Sequence, residues 1–160
     1  MALSQEICNS FKQELFTNTH TFTAGNATTF CMALLTTAAT ANAQTTAFTT
    51  TVGANEVSSS GSYTAGLTTT AEATKALTVA TGVPYVTQTS ATGGTAWVDF
   101  DNKSWTTATI SARGAIIYNK SSSDKAVAVL DFGGTKTSTA GTFQVVFPSP
   151  TSSTAIIRIA

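Results

Sequence analysis

Few side chains in this sequence have the types and the spacing that catalysis or metal binding requires. The single histidine, His20, has no triad or metal partner at a recognisable spacing, which predicts a capping or packing residue. Asp99 and Asp101 lie two residues apart, so a strand would place both carboxylates on one face. Paired carboxylates perform acid–base chemistry or bind Ca²⁺. The run VDFDNKSW is also typical of a strand that ends in an Asp-Asn turn.

One tripeptide, Asp131-Phe132-Gly133, matches the metal-binding tripeptide of protein kinases. The HRD loop, the Gly-rich loop and the necessary chain length are all missing, so the match is a coincidence. The sequence contains neither a G-x-S-x-G motif nor a recognisable Cys–His motif. We therefore predict a protein that is not an enzyme, with no catalytic residue, no cofactor and no metal ligand.

The two cysteines, Cys8 and Cys31, are predicted to be free thiols. The first residues, MALSQEICNSFKQ, lack the basic and apolar regions of a secretory signal. No run approaches the ~20 apolar residues that a membrane-spanning helix needs. We therefore expect synthesis in a cytoplasm, where a disulfide is uncommon, and no membrane partner.

The composition predicts a folded β protein with very few charges. Charged residues make up 10% of the chain, against about 25% in ordinary globular domains. A Thr/Ser-rich chain can be a disordered stalk, but aromatic residues reach 9% and apolar residues recur throughout. The net charge of zero gives no basis for attraction to nucleic acid. The length of 160 residues predicts a single domain, and the scarcity of charge suits a crowded assembly.

The N-terminal segment has the periodicity of an amphipathic helix over residues 4–16. One apolar stripe repeats at every fourth position: Leu3, Ile7, Phe11 and Leu15. Ser4 is the predicted N-cap, and Glu6 lies in the first turn. Two interpretations remain open, a helix that lies on its own domain and a helix that docks on another subunit.

The remainder, residues 21–160, has the pattern of an antiparallel β domain. Its centre is a long hairpin with strands at residues 109–119 and 125–132 and a polar link at 120–124. Further strands are predicted at residues 28–36, 76–80, 85–89, 95–101, 142–147 and 155–159. Residues 36–51 are low in complexity and are read as a loop or an edge meander. Short strands at this spacing favour a β-sandwich or a barrel-like domain.

Several short runs of this sequence resemble a family of small virion structural proteins of tailed bacteriophages. In chain order they are SFKQEL, FCMALLTTAAT, NEVSSSGSYTAG, AWVDFDNKSW, ISARGAIIYN, AVAVLDFGG, GTFQVVFP and AIIRIA. The resemblance covers nearly the whole chain and departs from the family's pattern at residues 36–51, which are longer and richer in Thr and Ala. It implies a noncatalytic protein located on the virion, as a capsid decoration (cement) protein or as a tail or neck component.

Three functions from different classes follow. The first is a capsid decoration protein that stabilises the head by contacting the major capsid protein, and the second is a tail, neck or fibre-base component that contacts other virion proteins. The third is a carbohydrate-binding or adhesion module with an aromatic platform built from Trp97, Trp105, Tyr63 and Tyr85.

A homo-oligomer is expected, with an interface built by apolar contacts rather than by charge. The residues predicted to form it lie at the two ends of the chain: Leu3, Ile7, Phe11, Leu15, Ile156, Ile157 and Ile159. The alternative for the three isoleucines is that they fill the core of their own domain.

Overall fold

A computed structural model of the chain describes residues 3–82, 85–86 and 94–160 and is mainly β. Its strands are β1 (Glu6–Ile7), β2 (Phe30–Leu35), β3 (Ala76–Leu77), β4 (Tyr85–Val86), β5 (Ala96–Val98), β6 (Lys103–Asn119), β7 (Lys125–Val145) and β8 (Ile157–Ile159). Its helices are α1 (Asn9–Leu15), α2 (Thr50–Gly53) and α3 (Thr69–Lys75). The strands form a five-stranded sheet in the order β1-β7-β6-β2-β3 and a three-stranded sheet in the order β4-β5-β8, and all strand pairs are antiparallel.

The central hairpin is confirmed and is longer than predicted. β6 and β7 are joined by a single 3-10 turn, Lys120–Ser122, followed by Ser123 and Asp124 in the left-handed region. The separate strand predicted at 142–147 is wrong, because β7 continues to Val145 through Gly133, Gly134 and Gly141. Shifts in the β6–β7 register absorb the irregularities, as β-bulges do.

The start of the chain differs from the predicted helix at residues 4–16. The helix α1 begins at Asn9, and its N-cap is Cys8 in an extended conformation rather than Ser4. The preceding residues pair with β7, since Glu6 lies opposite Val129 and the Cys8 N–H donates to a β7 carbonyl at 3.0 Å. Backbone pairing with the long hairpin is therefore preferred over another helical turn.

The other predicted strands are present but shorter, apart from residues 87–89, which lie outside the described residues. β2 is buried at all six positions and pairs with β6 and β3. The predicted loop at 36–51 contains one isolated bridge, at Ala47, and leads into α2. The helices α2 and α3 were not predicted.

One continuous hydrophobic core joins the two sheets. Phe30 of β2 stacks on Phe22 with ring centroids 4.4 Å apart. Phe100, which follows β5, contacts Phe30 at 5.7 Å and Phe147 at 5.6 Å. Of the helices in the described part of the chain, none is both long and apolar enough to cross a membrane.

Candidate functional site

His20 is a buried packing residue, as its lack of sequence partners predicted. Its Nε2 lies 2.7 Å from a carboxylate oxygen of Glu14, and its Nδ1 lies 3.1 Å from the amide nitrogen of Asn119. Asn119 Oδ1 accepts from the Ser121 N–H, so the Asn119 amide nitrogen is the group that faces the imidazole and must donate to it. Both ring nitrogens are therefore occupied, and the ring packs on Phe11 at 4.9 Å. His20 therefore holds α1 against the hairpin.

Glu14 completes this contact between α1 and the hairpin. Its carboxylate also accepts from the Lys125 ammonium at the start of β7. Burial favours the neutral acid, but hydrogen bonds from Lys125 and His20 outweigh burial and lower the pKa of Glu14.

The two aspartates predicted on one strand face do not form a paired site. β5 ends at Val98, and Asp99 is buried whereas Asp101 is exposed. The Asp99 carboxylate accepts from the backbone N–H of Phe100 at 2.9 Å and of Ile156 at 3.3 Å, so it positions the segment before β8. Burial raises the pKa of Asp99. Across the described part of the chain, no three His, Cys, Asp or Glu residues gather as a metal site requires.

A buried polar network that was not predicted from the sequence joins α3 to β2. The Lys75 ammonium at the end of α3 is fully buried and donates to Glu56 Oε1 at 2.9 Å and to the Gly66 carbonyl at 2.5 Å. Tyr63 donates to the same Glu56 oxygen at 2.6 Å and accepts from the Leu34 N–H at 3.0 Å. Every charged group in the network has a partner, which is typical of a structural element. No sequence motif connects these residues.

The predicted aromatic platform is wrong for three of its four rings. Trp97, Trp105 and Tyr63 are buried, and the side chain of Tyr85 lies outside the described residues. The indole N–H groups donate to the carbonyls of Pro150 and Thr74, and Tyr63 packs edge-on against Trp105. These rings stabilise the core and offer no flat surface to a sugar.

The two cysteines are free and buried, as predicted. Burial is the main cause that raises the pKa of Cys8 and of Cys31 to about 11.

The residues predicted to form an interface divide between the core and the surface. Leu3, Phe11 and Ile157 are buried in the chain's own core. Ile7, Leu15 and Ile156 are half-buried and pack against that core, and only Ile159 is mainly exposed, at 56%. Exposure is much greater at Phe16, which ends α1 and is 93% exposed.

A groove of about 820 Å³ lies between β7 and the C-terminal segment. One wall is the last half of β7, and the other is formed by Thr154, Ala155, Ile156 and Arg158. A second depression, of about 330 Å³, shares Ile156 and Arg158 with the first and reaches Ile7 of β1. Both ends of the described chain therefore contribute to this surface, hereafter called the β7 groove.

The edge of β7 that faces away from β6 is unpaired along much of its length. β1 pairs with β7 only at Ala128 and Val129. The residues that precede β1 do not continue this pairing, since the Ser4 N–H donates to the Ala41 carbonyl at 3.3 Å. Within the described ranges, no strand pairs with this side of residues 130–145. The edge therefore presents backbone donors and acceptors to solvent.

The opposite edge of the same hairpin is covered. The Ser62 hydroxyl accepts from the Thr106 N–H and the Ser60 hydroxyl accepts from the Thr109 N–H, both at 2.8 Å. The Ser62 N–H in turn donates to the Thr106 carbonyl at 3.1 Å. The loop that contains Ser60 and Ser62 thus satisfies backbone groups of β6 at Thr106 and Thr109, and no loop of the described residues pairs in this way with the outer edge of β7 at residues 130–145.

The exposed positions of the hairpin within residues 103–111 and 135–145 are polar and nearly uncharged. They include Ser104, Thr106, Thr109, Ser111, Thr137, Thr139 and Gln144. Lys136 is the one charged residue of β7 beyond Asp131.

Comparison with family models, with curated proteins and with solved structures finds no match.

Proposed function

We propose that this chain is a non-enzymatic structural protein of a tailed-bacteriophage virion and that it decorates the capsid. The observation that supports this role is the β7 groove, in which an unpaired strand edge lies beside apolar and basic side chains. A monomeric protein normally protects such an edge, because it can pair with other chains. The order of the short sequence runs resembles that of phage structural proteins and supports the same role.

To decorate a shell, many copies of this chain must bind to the major capsid protein. A chain with 10% charged residues and zero net charge has little material for salt bridges, so backbone pairing and apolar contact should supply most of the binding free energy. Binding that occurs only in the assembled state stabilises the particle by mass action. We propose that the copies on the particle are arranged as a homo-oligomer.

We also propose that the two sheets are the layers of a β-sandwich. Four phenylalanine rings contact one another and so connect the larger sheet with residues that flank the smaller one: Phe22, Phe30, Phe100 and Phe147. Facing sheets bury such side chains between them.

The copy number on purified particles tests the virion role. A decoration protein follows the symmetry of the shell, so its band should approach the coat protein in intensity on a stained gel of washed virions. A band far weaker than that of the coat protein would assign the chain to the tail, the neck or a fibre base. Absence from particles that contain the coat protein in normal amount would overturn the virion role.

A further inference from the structure

We propose that the β7 groove binds an extended, acidic segment of a partner polypeptide, which adds a strand to the outer edge of β7. The inference goes beyond the proposed virion role, because it concerns the chemistry of the partner and depends only on the geometry of the edge and the groove. The proposed partner is a protein other than this chain, and the experiment below distinguishes it from a second copy of the chain.

Strand addition first requires backbone hydrogen bonds along the outer edge of β7, and β1 already forms such bonds at one end of this edge. β1 occupies this edge for two residues, opposite Ala128 and Val129, before the chain leaves it. A segment that continues along the line of β1 would meet residues 130–145. In strand addition these main-chain hydrogen bonds supply affinity for any extended sequence.

Side-chain selectivity comes from the walls of the groove. Phe143, Val145 and Ile156 line it, and Val146 beside them is 66% exposed. Alternate side chains of an added strand point to opposite faces. The set that faces the groove would therefore meet Phe143, Val145 and Ile156, which favours small or apolar residues at some of these positions, whereas Val146 belongs to the opposite face.

The charges of the groove act on the same set, because Lys136 lies opposite Ala112 on the face of β7 that also carries Phe143. Lys136 and Arg158 line it and have no carboxylate partner among the described residues, whereas Asp131 is paired with Arg113. The uncompensated charge of the groove is therefore positive, in a chain whose net charge is zero. Carboxylates on the bound segment would complement both cations.

A second copy of this chain is a poor occupant for the same reason. Of its acidic residues, Glu6 and Asp101 are the two that are exposed in the described structure. They lie far apart in the sequence, and Glu6 is itself part of β1. No exposed strand of the described chain therefore offers two carboxylates to the groove of another copy.

The binding test uses the isolated chain and a capped ten-residue peptide with threonine at every second position and valine and glutamate in turn at the others, so that valine and glutamate share one face of the added strand. Binding is measured by calorimetry at peptide concentrations up to about 1 mM, the range in which weak interactions of about −4 kcal/mol are detected. Amide hydrogen exchange then shows where the peptide lies. Two matched peptides serve as controls, one with lysine in place of glutamate and one with N-methylated amides that cannot pair with a strand.

We expect saturable binding of the glutamate peptide and new amide protection within residues 130–145. Lys136→Ala and Arg158→Ala should each weaken binding by up to about fivefold, the measured range for exposed charge pairs. Lys12→Ala is the matched control, because Lys12 is an exposed lysine of α1 outside the groove, and it should bind as the unaltered protein does. Binding should also weaken at about 1 M salt, where screening is nearly complete.

Four results would overturn the proposal. They are the absence of binding at 1 mM, equal binding of the lysine peptide, equal binding of the N-methylated peptide, and protection of residues 130–145 that rises with protein concentration without any peptide. The last result would assign the edge to a second copy. Since no particle is used, each of these results is independent of whether the chain is found on virions.

Discussion

Phe11 is the residue at which the N-terminal helix is attached to the rest of the chain. Its ring is fully buried, 4.9 Å from the His20 ring and 6.1 Å from that of Phe22. Replacement by alanine removes this contact and leaves a cavity, so Phe11→Ala should lower the free energy of unfolding by about 3–5 kcal/mol. Denaturant unfolding measures the change.

Phe16 provides the matched control for Phe11, since it is an aromatic residue of the same segment but is 93% exposed. Phe16→Ala should change the free energy of unfolding by no more than about 0.5 kcal/mol. Equal effects of the two substitutions would show that Phe11 is not buried in the chain's own core.

The two thiols should be chemically silent in the folded protein. Burial raises the pKa of Cys8 and Cys31 from 9.0 to about 11, so neither is a thiolate at neutral pH. We expect almost no reaction with a thiol reagent at pH 8, and two reactive thiols after unfolding without a reductant. The absence of reactive thiols in the unfolded protein would indicate a disulfide and contradict the structure.

The same shifts determine how stability depends on alkaline pH. Each thiol binds its proton more tightly in the folded than in the unfolded chain. Its contribution is therefore complete below pH 9.0 and is lost as the pH rises through about 11. A Cys8→Ala, Cys31→Ala double variant should lose less stability over this range than the unaltered protein.

At the scale of the elements, α3 is held to β2 by the Glu56–Lys75–Tyr63 network. Removing the Lys75 ammonium leaves the Glu56 carboxylate buried without its counter-charge, so Lys75→Met should cost about 3–5 kcal/mol. The double variant Glu56→Gln, Lys75→Met removes both charges and should be more stable than Lys75→Met alone. A double variant whose loss equals the sum of the two single losses would show that the groups do not interact.

The contact between α1 and the hairpin should weaken in acid. The pKa of Glu14 is lowered in the folded chain, so its contribution is present above the ordinary value of 4.5 and is lost as the pH falls through the folded value. Glu14→Gln should cost about 1.5–3 kcal/mol at neutral pH, the range for hydrogen bonds to charged groups. The difference between the two proteins should shrink as the pH falls below 4.5.

Asp101→Asn is the control for this pH dependence. Asp101 is also acidic, but it is exposed. The free energy of unfolding of the Asp101→Asn variant should follow that of the unaltered protein across the same pH range. If Glu14→Gln gives the same acid dependence as the unaltered protein, the carboxylate of Glu14 does not determine the acid limb.

The central hairpin could be predicted because its signals are local. Alternating Ile, Val and Ala residues mark both strands, and Asn119 and Asp124 border a polar link that the structure confirms. The ends of the strands could not be predicted, because a bulge lets β7 pass through Gly133, whose φ is +71°. The start of α1 was also missed, because pairing with Val129 is a long-range interaction that helical periodicity does not reveal.

The candidate site could be predicted only in part. The C-terminal isoleucines and the apolar N-terminus were identified, and Ile7 and Ile156 do line one depression. The unpaired edge of β7 was not predicted, because it depends on β1 leaving the sheet after two residues. The helix α3 had a readable signal, since the Thr68 hydroxyl caps it by accepting from the Ala71 N–H.

At the scale of the whole molecule, the continuous core predicts that the two sheets unfold together. The two tryptophans of the chain test this, because Trp97 lies in β5 of the smaller sheet and Trp105 in β6 of the larger one. In Trp105→Phe only Trp97 reports, and in Trp97→Phe only Trp105 reports. Within each variant, the fluorescence midpoint should coincide with the midpoint from far-ultraviolet circular dichroism, which reports both sheets.

Comparison within a variant is necessary because each substitution removes part of a buried ring and lowers the stability itself. The coupling is expected since Phe100 contacts both Phe30 and Phe147, and the Asp99 carboxylate holds the Ile156 N–H beside β8. A Trp97 signal that changes at lower denaturant than the circular dichroism of the same variant would show that the smaller sheet unfolds by itself. The prediction of a single domain over residues 1–160 would then be wrong, and the wall of the β7 groove formed by residues 154–158 would be able to separate from β7 without unfolding the larger sheet.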